Sequence, residues 1–172
     1  GIATDGVYIY VADAGNHVIR KVEINSGTVT TLAGKRRQSG YKDGTGVNAL
    51  FKAPDGITIL GSVLYVADTD NHLIRSVNKD SGTVTTIAGT ESVEGDTDGN
   101  GTSAQFNLPF GLTNDGEYLY IADTYNYTIR RLDLQTGDVI TLAGKAGEYG
   151  SSDGSLMDAR FLYPSDLTVK GG

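Results

Sequence analysis

The sequence predicts an all-β fold, a β-propeller of four-stranded antiparallel blades, with three blades in 172 residues. Two observations carry this. Anchor residues recur at one fixed interval of 55 positions: Asp13, Asp68 and Asp123; Gly34, Gly89 and Gly144; Pro54, Pro109 and Pro164. Between them, β-branched and aromatic runs alternate with glycine-bearing turns, and no segment has sustained helical periodicity. The units are residues 1–55, 56–110 and 111–165, with an extra partial strand over 166–172 in the phase of the chain's first residues.

The second unit reads most clearly. Residues 56–59 (GITI) and 63–67 (VLYVA) are its first and second strands, the latter ended by Asp68. A turn over 69–72 leads to a third strand, 73–77 (LIRSV). The Asp80-Ser81-Gly82 hairpin leads to a fourth, 83–88 (TVTTIA). One helical turn is the most that 102–106 supports. A sheet this small cannot bury both faces alone and must stack on copies of itself. Four strands per repeat with a long return loop fit a propeller better than a solenoid. The loop residues Ala49 and Phe51, Ala104 and Phe106, and Ala159 and Phe161 are placed to fill the gaps between blades.

Composition narrows the function. The net charge of -7 argues against a nucleic-acid footprint, which needs clustered Lys and Arg. No run approaches the ~18 apolar residues of a membrane span, and no N-terminal signal pattern is present. Zero cysteines removes disulfides and thiolate metal sites. No nucleophile elbow or phosphate-cradling glycine loop occurs in a suitable context.

The strings VADAGNHVIRKV, VADTDNHLIRSV and IADTYNYTIRRL, with TVTTLAG, TVTTIAG and VITLAG and the loop segments DGTGVNALF, DGNGTSAQF and DGSLMDARF, resemble NHL repeats of the long variety. The resemblance covers all three units. It implies a propeller, often six-bladed, of which this chain would be half. It also implies an extracellular or cell-surface setting and a role as a binding platform.

Several residue sets could carry chemistry. Asp13, Asn16 and Arg20 recur as Asp68, Asn71, Arg75 and as Asp123, Asn126, Arg130. A catalytic site is not normally copied into every blade, so these read as a structural network of turn bonds and ion pairs, Asp and Asn accepting from turn amides. His17 and His72 are equivalent positions in different blades, with Tyr127 third. Two separated histidines do not make the three-ligand site of a catalytic zinc. Asp96, Asp98 and Asn100 occupy alternate places of a calcium-loop pattern, with calcium the one cofactor the sequence suggests. Its twelfth place is Asn107 instead of a bidentate Glu. The basic triplet 35–37 stands alone in an acidic chain and reads as a solvated loop.

In a propeller the return loops and the turns after the second strands project from one side. That gathers Arg36, Tyr41, His17, His72, Tyr125, Tyr127 and Tyr149 on a binding face suited to a protein or glycan. The function expected is non-enzymatic: a scaffold making such contacts. A metal-dependent lyase or hydrolase completed by further blades is the alternative. Three blades leave two apolar faces open, so either the chain is an excerpt from a longer propeller or two copies self-associate into a six-bladed ring.

Overall fold

In the computed structural model, which describes residues 1–169, each unit's alternating pattern becomes one antiparallel sheet. Blade 1 is β1 (Ile2–Thr4), β2 (Tyr8–Asp13), β3 (Val18–Glu23) and β4 (Val29–Ala33), side by side in that order. Blade 2 contains β5 (Gly44–Thr45), β6 (Pro54–Leu60), β7 (Val63–Asp68), β8 (Leu73–Asn78) and β9 (Thr83–Ala88), in the order β5-β9-β8-β7-β6. Blade 3 repeats this with β10 (Gly99–Asn100), β11 (Pro109–Asn114), β12 (Tyr118–Asp123), β13 (Thr128–Asp133) and β14 (Asp138–Ala143), ordered β10-β14-β13-β12-β11.

The third and fourth strands lie where the alternation put them, and the structure adds one element to blade 2 and one to blade 3. The two-residue strands β5 and β10 come from the preceding return loop and pair with the outer strands β9 and β14. Gly and Asn are depleted in strands and a single Thr is no strand signal, so the neighbouring outer strand makes Gly44–Thr45 and Gly99–Asn100 strands. The first strands of units 2 and 3 also begin two residues before the expected unit starts at 56 and 111, at Pro54 and Pro109, since proline is tolerated at a strand's first position. The helical turn expected over 102–106 is a 3-10 turn at Gly101–Ser103, matched at Gly46–Asn48 and Leu156–Asp158. Residues 166–169 of the extra strand lie in no sheet, because no antiparallel neighbour faces them among the described residues. Residues 170–172 of that segment lie outside the described residues.

Each β2–β3, β7–β8 and β12–β13 connection is a 3-10 turn closed by a left-handed residue: His17, His72 and Tyr127. The third and fourth strands then slip register by one residue, between Ile19 and Arg20, Ile74 and Arg75, and Ile129 and Arg130. A bulge re-aims the side chain beside it. Here that side chain is the repeated arginine.

The core lies between blades. Tyr10, Ala12, Ile19 and Ala33 of blade 1 meet Ile57, Leu64, Val66, Val77 and Val84 of blade 2, with Ala49 and Phe51 of the loop between them. The second junction repeats this with Ala67, Ile74 and Ala88 against Leu112, Leu119, Ile121, Leu132 and Val139, around Ala104 and Phe106. The small alanines leave room for the phenylalanine ring. Gly34 does the same from the backbone: at φ +93, a Cβ there would sit 2.6 Å from the His17 carbonyl oxygen and 3.1 Å from Phe51. Phe51 and Phe106 are fully buried, whereas Phe161 in the third loop is only half-buried, with no further blade packed against it among the described residues. Phe106→Ala is expected to cost about 3–5 kcal/mol in urea unfolding, while Val47→Ala on an exposed side chain stays within about 0.5 kcal/mol.

Candidate functional site

Two side-chain systems concentrate the polar chemistry, and both sit where a return loop crosses a blade. The first is the repeated Asp-Asn-Arg set. Arg75 is fully buried and donates from Nη1 to Asp68 Oδ2 (2.6 Å) and from Nη2 to Asp43 Oδ1 (2.7 Å). It also donates to the carbonyls of Leu50 (3.3 Å) and Lys42 (3.1 Å), and its guanidinium lies 5.2 Å from the Phe51 ring centroid. Arg130 repeats every contact, with Asp123, Asp98, the carbonyls of Gln105 and Thr97, and the Phe106 ring.

The aspartates take no bond from turn amides. Asp68 Oδ1 accepts the Lys52 amide (2.7 Å) and Oδ2 accepts Asn71 Nδ2 (2.9 Å), while Asn71 also donates to the Gly40 carbonyl (2.9 Å). Every one of these loop partners belongs to the repeat before the blade. The set is therefore a clamp that fastens the preceding return loop, with Asp43 and Asp98 as members that a reading of local turn signals passes over. Burial pushes Asp68 and Asp123 up to about 6, against the pull of Arg75 and Arg130 and the donated hydrogen bonds. Blade 1 differs. Arg20 is 20% exposed, its Nε stands 4.0 Å from Asp13, and its Nη1 turns to Thr31 Oγ1 (2.9 Å).

The histidines face the loop that follows their own blade. His17 Nδ1 accepts the Ala53 amide (3.1 Å) and His72 Nδ1 accepts the Leu108 amide (3.2 Å). Burial lowers the His72 pKa, which favours the neutral ring that can accept this bond. Among the described residues, no three His, Asp or Glu side chains are grouped as metal ligands. Of the calcium-pattern residues, Asp98 is engaged by Arg130 and by Thr141 Oγ1 (3.0 Å), and Asn100 donates to Thr136 O (2.7 Å) and Asp138 Oδ1 (2.9 Å). Asp96 is exposed beside them.

The second system is aromatic. Tyr127 packs against Tyr149 (centroids 5.5 Å) and Tyr163 (5.3 Å), and Tyr125 against Tyr163 (5.2 Å). Tyr125, Tyr149 and Tyr163 remain 45%, 67% and 49% exposed. A shallow hollow of about 220 Å³ opens beside them, lined by Phe110, Thr124, Tyr125, Tyr163 and Ser165. The structure thus joins three of the tyrosines assigned to a binding face and adds Tyr163. The repeat phase holds the signal for it: Tyr163 replaces Ala53 and Leu108 of the other units. The remaining residues of that face lie in other blades. Tyr41 sits 5.2 Å from the Arg75 guanidinium, the two histidines are half-buried, and Arg36 projects from the first return loop.

Comparison with known proteins agrees with this architecture. The LVIVD repeat family model matches residues 54–74 and 113–129. Human NHL repeat-containing protein 2 is 36% identical over 171 residues, which span 94% of this chain and 23% of that protein. The chain therefore spans less than a quarter of the length of this relative. A Bacteroides thetaiotaomicron protein of unknown function superposes with a TM-score of 0.80 at 25% identity, over 99% of this chain and 42% of that one. An auxiliary nutrient binding protein from Bacteroides ovatus superposes with a TM-score of 0.73 at 22% identity, over 97% of this chain and 42% of its own.

The clamp yields two predictions. Asp123→Asn removes the buried one of the two carboxylates that compensate the Arg130 guanidinium and is expected to cost about 3–5 kcal/mol in chemical unfolding, whereas Asp13→Asn, beside a partly exposed arginine, costs under about 1 kcal/mol. His72→Asn keeps an acceptor and tolerates the left-handed φ, but does not titrate. Because the folded pKa of His72 lies below the unfolded 6.5, its stabilisation is present above that value and is lost as pH falls through the folded one. Melting temperatures taken from pH 7.5 to 5.5 are expected to fall further for wild type than for His72→Asn, the buried aspartates being common to both.

Proposed function

Since this chain belongs to the NHL-repeat β-propeller family, we propose that it acts as a non-enzymatic scaffold, and that it meets a protein or glycan partner through the tyrosine-bearing loop face of blade 3. The observation that carries this reading is the cluster of Tyr125, Tyr127, Tyr149 and Tyr163 beside an apolar hollow. Tyrosine supplies a broad apolar ring at low conformational cost together with a polar tip, the combination that stacks on sugar rings or packs into a protein interface. Repetition supports a scaffold too, since the repeated Asp and Arg of blades 2 and 3 are engaged in holding loop to sheet, and exposed aromatics are among the residues that break the repeat.

The chain has ten tyrosines and no tryptophan, so its intrinsic fluorescence reports tyrosines directly. Titration with neutral hexose oligomers, and separately with a proline-rich peptide library lacking tyrosine and tryptophan, is expected to change that fluorescence for at least one probe. Tyr125→Ala and Tyr149→Ala are each expected to weaken that binding by about 1–2 kcal/mol while leaving thermal stability within about 0.5 kcal/mol, because both side chains are largely exposed. Unchanged binding in both variants would reject this face as the contact surface.

A further inference from the structure

The two junctions between blades follow one plan but differ at one corner. At the first junction this corner is ionic. Lys21, paired with Tyr10 across β2 and β3, crosses to blade 2: its Nζ lies 4.0 Å from the Tyr8 ring centroid and 5.8 Å from that of Tyr10, and donates to the Lys79 carbonyl (3.3 Å). Lys79 Nζ in turn pairs with Asp5 Oδ2 (2.7 Å), which also accepts the Tyr10 hydroxyl (3.1 Å). At the second junction the places of Asp5, Lys21 and Lys79 are held by Leu60, Ser76 and Leu134. Serine is too short to cross, and a cleft of about 230 Å³ stands between blades 2 and 3, with Val63, Tyr65 and Ile87 on one wall and Leu132 and Leu134 on the other. Ser76 and Asp133 also line it. Val63 opens β7 and Asp133 closes β13, so the cleft lies at the end of the sheets opposite the turns that carry Tyr125.

The backbone around the cleft is otherwise that of the first junction. Asp133 Oδ1 accepts the amides of Gln135 (2.8 Å) and Thr136 (2.9 Å), as Asn78 Oδ1 accepts those of Asp80 (3.0 Å) and Ser81 (2.8 Å). The Leu134 amide donates to the Glu117 carbonyl (3.1 Å), as the Lys79 amide donates to that of Ser62 (3.0 Å). The Leu134 carbonyl therefore holds the place of the acceptor that Lys21 uses, Tyr65 holds the place of Tyr10, and Asp133 adds a carboxylate where the first junction has the neutral Asn78. We propose that this cleft binds the side chain of a lysine presented by a protein partner, its stem between the apolar walls and its ammonium at the Leu134 carbonyl, the Tyr65 ring and Asp133. Lysine joins an apolar stem to a compact charge with three donors, which fits apolar walls beside a carbonyl and a carboxylate better than the planar fork of arginine does. An ammonium near the face of a tyrosine ring gains further attraction. The space is smaller than the roughly 300–1,000 Å³ of pockets that enclose a whole ligand, which suits one inserted side chain. The net charge of -7 favours a basic partner. Both walls are internal to the chain, and the site stands or falls separately from the tyrosine face.

The test is an NMR titration of the isotope-labelled 172-residue chain with Nα-acetyl-lysine-N-methylamide. Saturable amide shifts are expected at Tyr65, Ser76 and Leu134. The norleucine counterpart, which keeps the stem and lacks the ammonium, is expected to bind about tenfold more weakly. Ser76→Lys recreates the lysine of the first junction, fills the cleft with its own side chain and is expected to abolish the saturable shifts. Asp133→Asn carries the test without added bulk: it keeps the turn acceptor that Asn78 supplies in blade 2 and is expected to weaken binding about threefold. Tyr125→Ala leaves binding unchanged. Shifts that do not saturate, equal binding of norleucine, or binding indifferent to Ser76→Lys or to Asp133→Asn would overturn the proposal. So would pentylamine binding where the lysine derivative does not, since the occupant would then be a free amine and not a lysine held in a peptide.

Discussion

Two arginine side chains are buried completely, and each is made tolerable by carboxylates from two different repeats. A guanidinium removed from water without compensation costs several kcal/mol even after relaxation. In this chain Asp68 and Asp43 surround Arg75, and Asp123 and Asp98 surround Arg130, with two loop carbonyls and a phenylalanine ring completing each shell. The bulge that aims the arginine, the short strand that follows Asp43 and Asp98 onto the outer edge, and the alanines that admit the ring all serve this one arrangement. Blade and preceding loop are therefore one cooperative unit, offset from the 55-residue sequence repeat. Neighbour-only coupling of this kind is the rule in repeat proteins. Here it is ionic as well as apolar.

The polar clamp and the apolar seam divide the work. Hydrophobic contact between blades supplies non-directional attraction, which alone would let one sheet slide over another. The clamp sets registry, because a shift by one residue would separate Arg75 from Asp43 and leave both without their partner. A buried ion pair contributes less to stability than its short distances suggest, and fixing registry is the best-attested use of such pairs.

The four main strands, their turns and the loop phenylalanines were legible in the sequence because their signals are local: alternation, Asp-Gly and Ser-Gly turns, and fixed phase. What escaped was non-local. Gly44-Thr45 is a strand only because β9 lies beside it. Asp43 reads as half of an Asp-Gly turn until a sheet brings Arg75, 32 positions later, against it. The repeated Asp looked like an acceptor for turn amides, but the fold turns its side chain inward to the arginine and the loop amide. On the aromatic face, Tyr125, Tyr127 and Tyr149 could be grouped from phase and turn position. Tyr163 was visible only as a departure from Ala53 and Leu108, which carries meaning once the left-handed loop position it occupies is known.

The direction of the clamp has a consequence for how the chain is made. Asp43 precedes Arg75 and Asp98 precedes Arg130, so the counter-charge for each buried arginine leaves the ribosome before the arginine does. Every new blade emerges onto a loop already able to receive it, and domains of this kind fold from the N-terminal side during synthesis. Growth is thus templated one blade at a time.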